Sequence, residues 1–347
     1  MTRTNRAWWD RVDHADRRPL LLARNTIAAE VRRYFVERDF VEVDPAVLAI
    51  SPGNETHIHG LRTEVRDSSG TATTRYLHTS PEFAMKKLLA AGEERIFSLG
   101  HVFRDRERGA FHSPEFTMLE WYRAGETHGA LMEDCAALLR IAAIAAGTRT
   151  LIGRQRRVDP FVAWKRTTVA SAFASHAGID ILSTISRNGR TDARSLAEAA
   201  ASGGISVSHD DTWSDIFSRI LVAKVEPNLG IDAIEMLDAY PAPEAALARI
   251  SSEDTRIAER FEVYACGIEI ANGFGELSDP AEQRRRFEID MEEKERVYGE
   301  RYPLDEDFLA ALASMPPACG CALGFDRMVM LATAADRIER VQWTPVP

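Results

Sequence analysis

Residues 103–122 constrain this chain more than any other stretch. They read Phe-Arg-Asp-Arg-Glu-Arg-Gly-Ala-Phe-His-Ser-Pro-Glu-Phe-Thr-Met-Leu-Glu-Trp-Tyr. Val102 and Phe103 close an apolar strand, five charged residues follow before Gly109, and a mostly apolar strand resumes from Phe116 to Tyr122. The pattern predicts two strands joined by a charged loop longer than a tight turn. An ordinary hairpin with a solvated basic tip is the alternative, and two details count against it. Glu120 stands inside a bulky apolar run, where an unpaired carboxylate is costly to bury. Arg104 sits on the strand end, where the sheet would hold its guanidinium in place.

With 347 residues the chain can bury a large core, as one big domain or two average ones. Its 45% apolar and 28% charged residues are those of an ordinary soluble protein. The net charge of −10 argues against a general polyanion-binding surface, although a local basic patch can coexist with it. Cys319-Gly320-Cys321 is too tight for the usual zinc spacing and has no second pair, so these thiols, with Cys135 and Cys266, read as reduced. Residues 1–18 lack the apolar core of a signal peptide, and the run at 138–146 is too short to span a bilayer. A cytoplasmic protein away from membranes is the expectation.

Residues 1–18 read as an irregular arm whose Trp8 and Trp9 pack onto the body. Apolar residues from Leu20 to Phe35 form a helical stripe over 20–38, and residues 39–45 alternate as a short strand ending at Pro45. His57-x-His59 lacks further ligands and reads as surface. Thr79-Ser80-Pro81-Glu82 reads as a helix start, with Ser80 as N-cap and Pro81 in the first helical position. There Glu82 either complements the helix dipole or meets a substrate ammonium. Residues 126–147 form a helix, 160–235 a helical insertion with glycine and serine turns, and 281–301 a charged, solvated helix. Between the last two, strands around 260–264 and 267–274 form an antiparallel hairpin, so Glu262 and Glu269 lie on adjacent strands and could face one cavity. Residues 320–331 are a small-residue strand running into an apolar helix.

Arg-x-x-Glu-x-Gly-x-x-His-x-Pro-Glu-Phe-Thr-Met-Leu-Glu-Trp-Tyr resembles motif 2 of the class II aminoacyl-tRNA synthetases, specifically their lysine branch. The helix–strand–Pro unit at 20–45 resembles motif 1, and Gly320-Cys321-Ala322-Leu323-Gly324-Phe325-Asp326-Arg327 resembles motif 3. The resemblance implies an α/β (α+β) fold: a mainly antiparallel sheet flanked by helices, in a single catalytic domain covering 1–347 that dimerises through motif 1. Lysyl-tRNA synthetases carry an anticodon-binding barrel of roughly a hundred residues ahead of motif 1; here the first predicted helix begins at Leu20. The chain is therefore more similar to the freestanding ligases that adenylate (R)-β-lysine and transfer it to a lysine of elongation factor P, without anticodon recognition. That likeness includes Ser80-Pro81-Glu82, Ser251-Ser252-Glu253-Asp254 and Ala322-Leu323-Gly324, with Ala322 where lysyl-tRNA synthetases usually have glycine.

The implied chemistry brings a carboxylate against the α-phosphate of ATP, which calls for positive charge aimed at the transition-state oxygens. Arginine supplies a planar, permanently charged fork for this. By resemblance, Arg104 holds the α-phosphate and substrate carboxylate, and Arg327 packs on adenine opposite Phe116 and reaches the γ-phosphate. In isolation Arg327 could equally pair with Asp326. His112 falls at the γ-phosphate, and Asp105, Arg106, Ser113, Ile270 and Gly324 complete the implied ATP contacts. Glu262 and Glu269 match the Mg²⁺ carboxylates. Glu120, Tyr122 and Glu276 match the side-chain ammonium pocket, Glu82 the residue near the other amino group, and Asn272 a carboxylate contact; Ser80 and Pro81 complete the implied substrate contacts. Arg104-Asp105-Arg106 stands where the family has Arg-Asn-Glu, and Ser113 where it has asparagine. The acidic residue that helps read adenine is thus displaced, with Glu107 as its replacement, and Gly275 stands where a larger polar residue is common. Activation of α-lysine for tRNA or a carrier is the second reading. A catalytically silent regulatory paralogue is the third, opposed by the retained arginines and glutamates.

Overall fold

The first helix starts earlier than the apolar stripe indicates. In the computed structural model, which describes residues 7–347, α1 runs over Arg11–Val36. Asp10 caps it by accepting from the Val12 and Asp13 amides, and Pro19 sits exposed on the outer face without stopping the helix. Residues 11–18 are thus helical rather than an irregular arm. Trp8 and Trp9 remain 38% and 69% exposed instead of packing onto the body, and residues 1–6 of that expected arm lie outside the described residues. The inner face of α1 buries Leu21, Ile27, Val31 and Phe35.

Next come β1 (Val41–Glu42), β2 (Leu48–Ala49), the hairpin β3 (Leu61–Arg66) and β4 (Ala72–Leu77), and α2 (Glu82–Ala90). Strands β5 (Arg95–Phe103) and β6 (Glu115–Ala124) flank the charged loop. They are followed by α3 (His128–Ala145) and a small hairpin of β7 (Leu151–Gly153) and β8 (Arg156–Val158). Strands β9 (Lys165–Thr168) and β10 (Glu235–Asp238) bracket a helical segment containing α4 (Val169–Ala177), α5 (Ala193–Ser202) and α6 (Trp213–Ile220). This segment has its own apolar centre, in which the rings of Phe173, Phe217 and Trp213 stack. The hairpin β11 (Arg260–Ala265) and β12 (Ile268–Gly275) leads to α7 (Pro280–Tyr298), α8 (Glu306–Leu312), β13 (Ala318–Gly324) and α9 (Phe325–Thr333).

Eight strands form the main sheet in the order β1-β5-β6-β13-β12-β11-β10-β9, antiparallel except for its two outermost pairs. Period-two alternation splits its residues between two faces. Leu119, Trp121, Leu323, Ala271 and Val263 pack with α1, α3 and α9 into the main core. The opposite face carries the polar residues of the same strands.

One irregularity decides which residues those are. Glu262 pairs with Asn272 and Val263 with Ala271, yet Tyr264 pairs with Glu269. The extra residue is Ile270. Plain alternation would set Glu269 and Asn272 on opposite faces; the bulge brings both to the face of Glu262.

His57-x-His59 is not a surface pair. His59 is buried, its Nδ1 2.9 Å from Glu300 Oε2 and its ring edge-on to Tyr298. No cluster of three or more His, Cys, Asp or Glu arranged to hold a metal occurs among the described residues. All four cysteines are buried and free.

Candidate active site

Cross-strand pairing lays out the floor of a cavity of about 380 Å³. Glu120 on β6 pairs with Ala322 on β13, Ala322 with Asn272 on β12, and Asn272 with Glu262 on β11. The adjacent row is Tyr122, Gly320, Phe274 and Arg260. The start of α2 and the loop between β5 and β6 provide walls. A Cβ at Gly320 would stand 2.2 Å from Tyr122 Cε1 and 2.6 Å from Glu276 Oε1, so only glycine leaves those side chains their positions.

One end of the cavity is acidic. Ser80 Oγ donates to Glu120 Oε2 and Tyr122 Oη to Glu120 Oε1, both at 2.7 Å. Ser80 Oγ also accepts from the Glu82 amide, as a helix cap does, although Pro81 takes the cap position and the helix begins at Glu82. Burial, with the nearby Glu82 charge, pushes Glu120 up to about 8 against the two hydroxyl donors. Burial likewise pushes Glu276 up to about 7, with Lys86 opposing. Lys86, on α2, is fully buried between Glu82 Oε1 at 2.5 Å and Glu276 Oε2 at 2.6 Å. Burial alone would lower its pKa; the two carboxylates outweigh that and raise it.

The other end is basic. Arg104 follows β5 directly, donates from Nε to Thr79 O at 3.3 Å and lies 5.4 Å from the centre of the Phe116 ring. Arg327 lies in the first turn of α9 and donates to Phe111 O at 3.2 Å and to Glu269 O at 2.9 Å. Its Nη2 donates to His112 Nε2 at 2.7 Å, a bond that requires this nitrogen unprotonated. Burial and the Arg327 charge hold the His112 pKa below its ordinary value accordingly. Asp326 does not pair with Arg327. It bonds Arg24 of α1, the Thr117 amide and Gln342, and so ties motifs 2 and 3 to α1.

Glu262 and Glu269 share the cavity floor with Asn272, whose buried Oδ1 has no partner. Arg260 donates to Glu262 Oε1 and Tyr264 Oη to Oε2, both at 2.7 Å. Burial and the Glu262 charge push Glu269 up to about 7. Two carboxylates and an uncommitted amide oxygen form a hard-oxygen donor set of the kind Mg²⁺ takes.

Most expected site residues line this one cavity: Ser80, Glu82, Arg104, His112, Ser113, Phe116, Glu120, Tyr122, Glu262, Glu269, Ile270, Asn272, Glu276, Gly324 and Arg327. Asp105, Arg106 and Pro81 do not. Arg106 adopts a left-handed φ of 65°, which turns its side chain outward to Glu300 and over Tyr298, while Asp105 accepts from the Arg106 amide. Glu107 takes the inward position, 3.8 Å from Arg104. At Gly275 the space is already filled, since a Cβ there would meet Glu259 Oε2 at 2.2 Å. Three residues with partners in the site were missed. Lys86 had a signal, its i+4 spacing from Glu82. Arg260 and Tyr264 flank Glu262 at two-residue spacing on one strand face.

Fold and site together define a class II aminoacyl-tRNA synthetase catalytic unit, and the chain belongs to that family: residues 2–346 match the model of the class II tRNA synthetases (D, K and N). Among curated relatives it is similar to proteins named elongation factor P–(R)-β-lysine ligase. It is 37% identical to that of Vibrio cholerae over 94% of this chain and 95% of the relative. The ligases of Sodalis glossinidius and Pectobacterium atrosepticum are 39% and 40% identical, each over 92% of this chain and 93% of theirs.

Proposed function

We propose that this protein activates (R)-β-lysine with ATP as an aminoacyl-adenylate and transfers it to a lysine side chain of elongation factor P. The observation that carries this reading is the charge division of one cavity, with Arg104 and Arg327 at one end and Glu82, Glu120 and Glu276 at the other. Two of these carboxylates, Glu82 and Glu276, share one buried cation, Lys86, and Glu120 has hydroxyl partners only. Burial favours the protonated forms of Glu120 and Glu276 in the free protein, and a dicationic amino acid would favour their ionised forms by supplying the missing positive charge.

In this reading the substrate carboxylate attacks the α-phosphorus and pyrophosphate leaves. Arg104 holds the reacting oxygens, and Arg327 and the neutral His112 hold the outer phosphates. Glu262 and Glu269 would hold Mg²⁺, which when bound offsets phosphate charge. The acceptor amine then attacks the acyl carbon, releasing AMP. Ala322, paired between Glu120 and Asn272, puts a methyl group in the floor beneath the amino acid, consistent with the β-amino isomer. The relatives' names support acceptor and substrate together. The reading also includes one catalytic domain without anticodon recognition, a homodimer formed through α1 and β1, and a cytoplasmic location; among the described residues no helix is long and apolar enough to cross a membrane.

Amino acid-dependent exchange of pyrophosphate into ATP tests this, comparing (R)-β-lysine, α-lysine and the other standard amino acids. Preference for (R)-β-lysine is expected. Preference for α-lysine would shift the reading to the lysyl branch, and no exchange with any amino acid would leave a silent paralogue.

A further inference from the structure

The turn between β2 and β3 brings in a carboxylate that the site as described leaves unused. Glu55 lines the main cavity beside Ser80, Glu82 and Arg104, and also a narrow side pocket beneath α2. Its Oε2 is closed off from solvent and meets no donor. The other carboxylates of the acidic end are compensated: Glu120 accepts from two hydroxyls, Glu82 pairs with the Lys86 ammonium, and Glu276, whose two oxygens accept no hydrogen bond, is still ion-paired with that ammonium at 2.6 Å.

The backbone around Glu55 is held firmly. Lys294 of α7, itself fully buried, donates from Nζ to the carbonyls of Glu55, Thr56 and Ile58 at 3.3, 2.9 and 2.7 Å. Thr79 Oγ1 donates to Pro52 O at 2.5 Å. Gly53 has a φ of +137°, and a Cβ there would lie 2.6 Å from Glu55 Oε2 and 2.9 Å from Thr79 Oγ1. Only glycine leaves the room this carboxylate occupies. Burial and the Glu82 charge raise its pKa, with Arg104 among the groups opposing, so Glu55 stands near the arginine that faces the reacting end of a substrate.

A buried carboxylate without a donor is costly unless a ligand brings the donor. An ammonium one or two carbons from a carboxylate held by Arg104 would fall beside Glu55. We propose that Glu55 receives the amino group nearest the reacting carboxylate and makes the site select diamino acids over ω-amino acids. This rests on the amino acid-activating reading above. It moves the second ammonium from Glu82, which Lys86 already engages, to Glu55.

Calorimetric titration of the full-length protein with (R)-β-lysine, α-lysine and 6-aminohexanoic acid, which lacks the second amino group, tests it. The wild type should favour the better diamino acid over 6-aminohexanoic acid by about tenfold or more, the size of one hydrogen bond to a charged group. Glu55→Gln should erase that preference while leaving 6-aminohexanoic acid affinity within about twofold. Glu55→Asp, which keeps the charge, should retain part of the preference and serves as the second variant should Glu55→Gln fail to fold. An unchanged preference in Glu55→Gln, or equal loss for all three ligands, would overturn the role of Glu55 alone. A wild type that binds none of the three would overturn the underlying reading as well.

Discussion

Arg104 stands where strand becomes loop, its Nε already bonded to Thr79 O, so its fork loses little freedom when it meets an anion. Arg104→Ala should lower pyrophosphate exchange by roughly 10²–10³-fold, the scale of losing one transition-state donor, with an unchanged circular dichroism spectrum. Near-normal turnover would remove Arg104 from the site. Glu120 and Glu276 make a pH prediction. Their values of about 8 and about 7 lie above the ordinary 4.5, so the folded chain keeps protons that the unfolded chain has released. Stability from these groups is full below about pH 4.5 and is lost as pH rises through 7 and 8. The ligand-free thermal midpoint should therefore fall between pH 6 and pH 9, by less in Glu120→Gln, and a saturating diamino acid should flatten the fall by favouring ionised carboxylates. Scanning fluorimetry across that range reads all three; identical slopes for wild type and Glu120→Gln would count against a buried, protonated Glu120.

Elements carry the site through register. The floor row of Glu120, Ala322, Asn272 and Glu262 comes from three antiparallel pairings, and the bulge at Ile270 adds Glu269 to it. Gly320 is the tightest point of the neighbouring row. Gly320→Ala should displace Tyr122 and Glu276, raising the amino acid KM by about tenfold or more at a stability cost of about 1–3 kcal/mol, with the ATP KM little changed. Exchange kinetics with each substrate varied in turn would separate the two; equal rises would mean that the sheet itself had distorted. The charged loop between two strands and the start of α2 were legible because turn chemistry and period-two alternation are local. The bulge was not, because nothing in residues 262–272 alone says where two strands slip by one residue.

For the whole molecule, α1 and the segment after it leave Val36, Val41, Val47, Leu48 and Ile50 exposed. Exposed apolar side chains mark an association site where they form a patch. A homodimer through this region should sediment as twice the chain mass at micromolar concentration, and the pair Val41→Asp and Leu48→Asp should shift it to monomer. A wild-type monomer would refute the interface. Among long-range contacts, Arg24 to Asp326 binds α1 to α9, and the Ile338 amide donates to Ala110 O at 2.8 Å, pinning the loop that carries His112. Charge composition foretold neither.

The strand–loop–strand carrying Arg104 and the small-residue strand running into the helix that carries Arg327 were legible in the sequence, whereas the grouping of Glu82, Glu120 and Glu276 rested on the family resemblance. The first two follow from residue type and spacing along one element, where backbone periodicity leaves few choices. Tertiary structure decided the rest. It placed Lys86 between Glu82 and Glu276, left Glu55 Oε2 without a donor, turned Arg106 out to Glu300, and gave Asp326 to Arg24 instead of Arg327. Each of these depends on which groups meet after folding, often from distant parts of the chain. A charge buried in a low-dielectric interior takes whichever partner the packing brings within reach, near in sequence as Glu82 is to Lys86 or distant as Glu276 is.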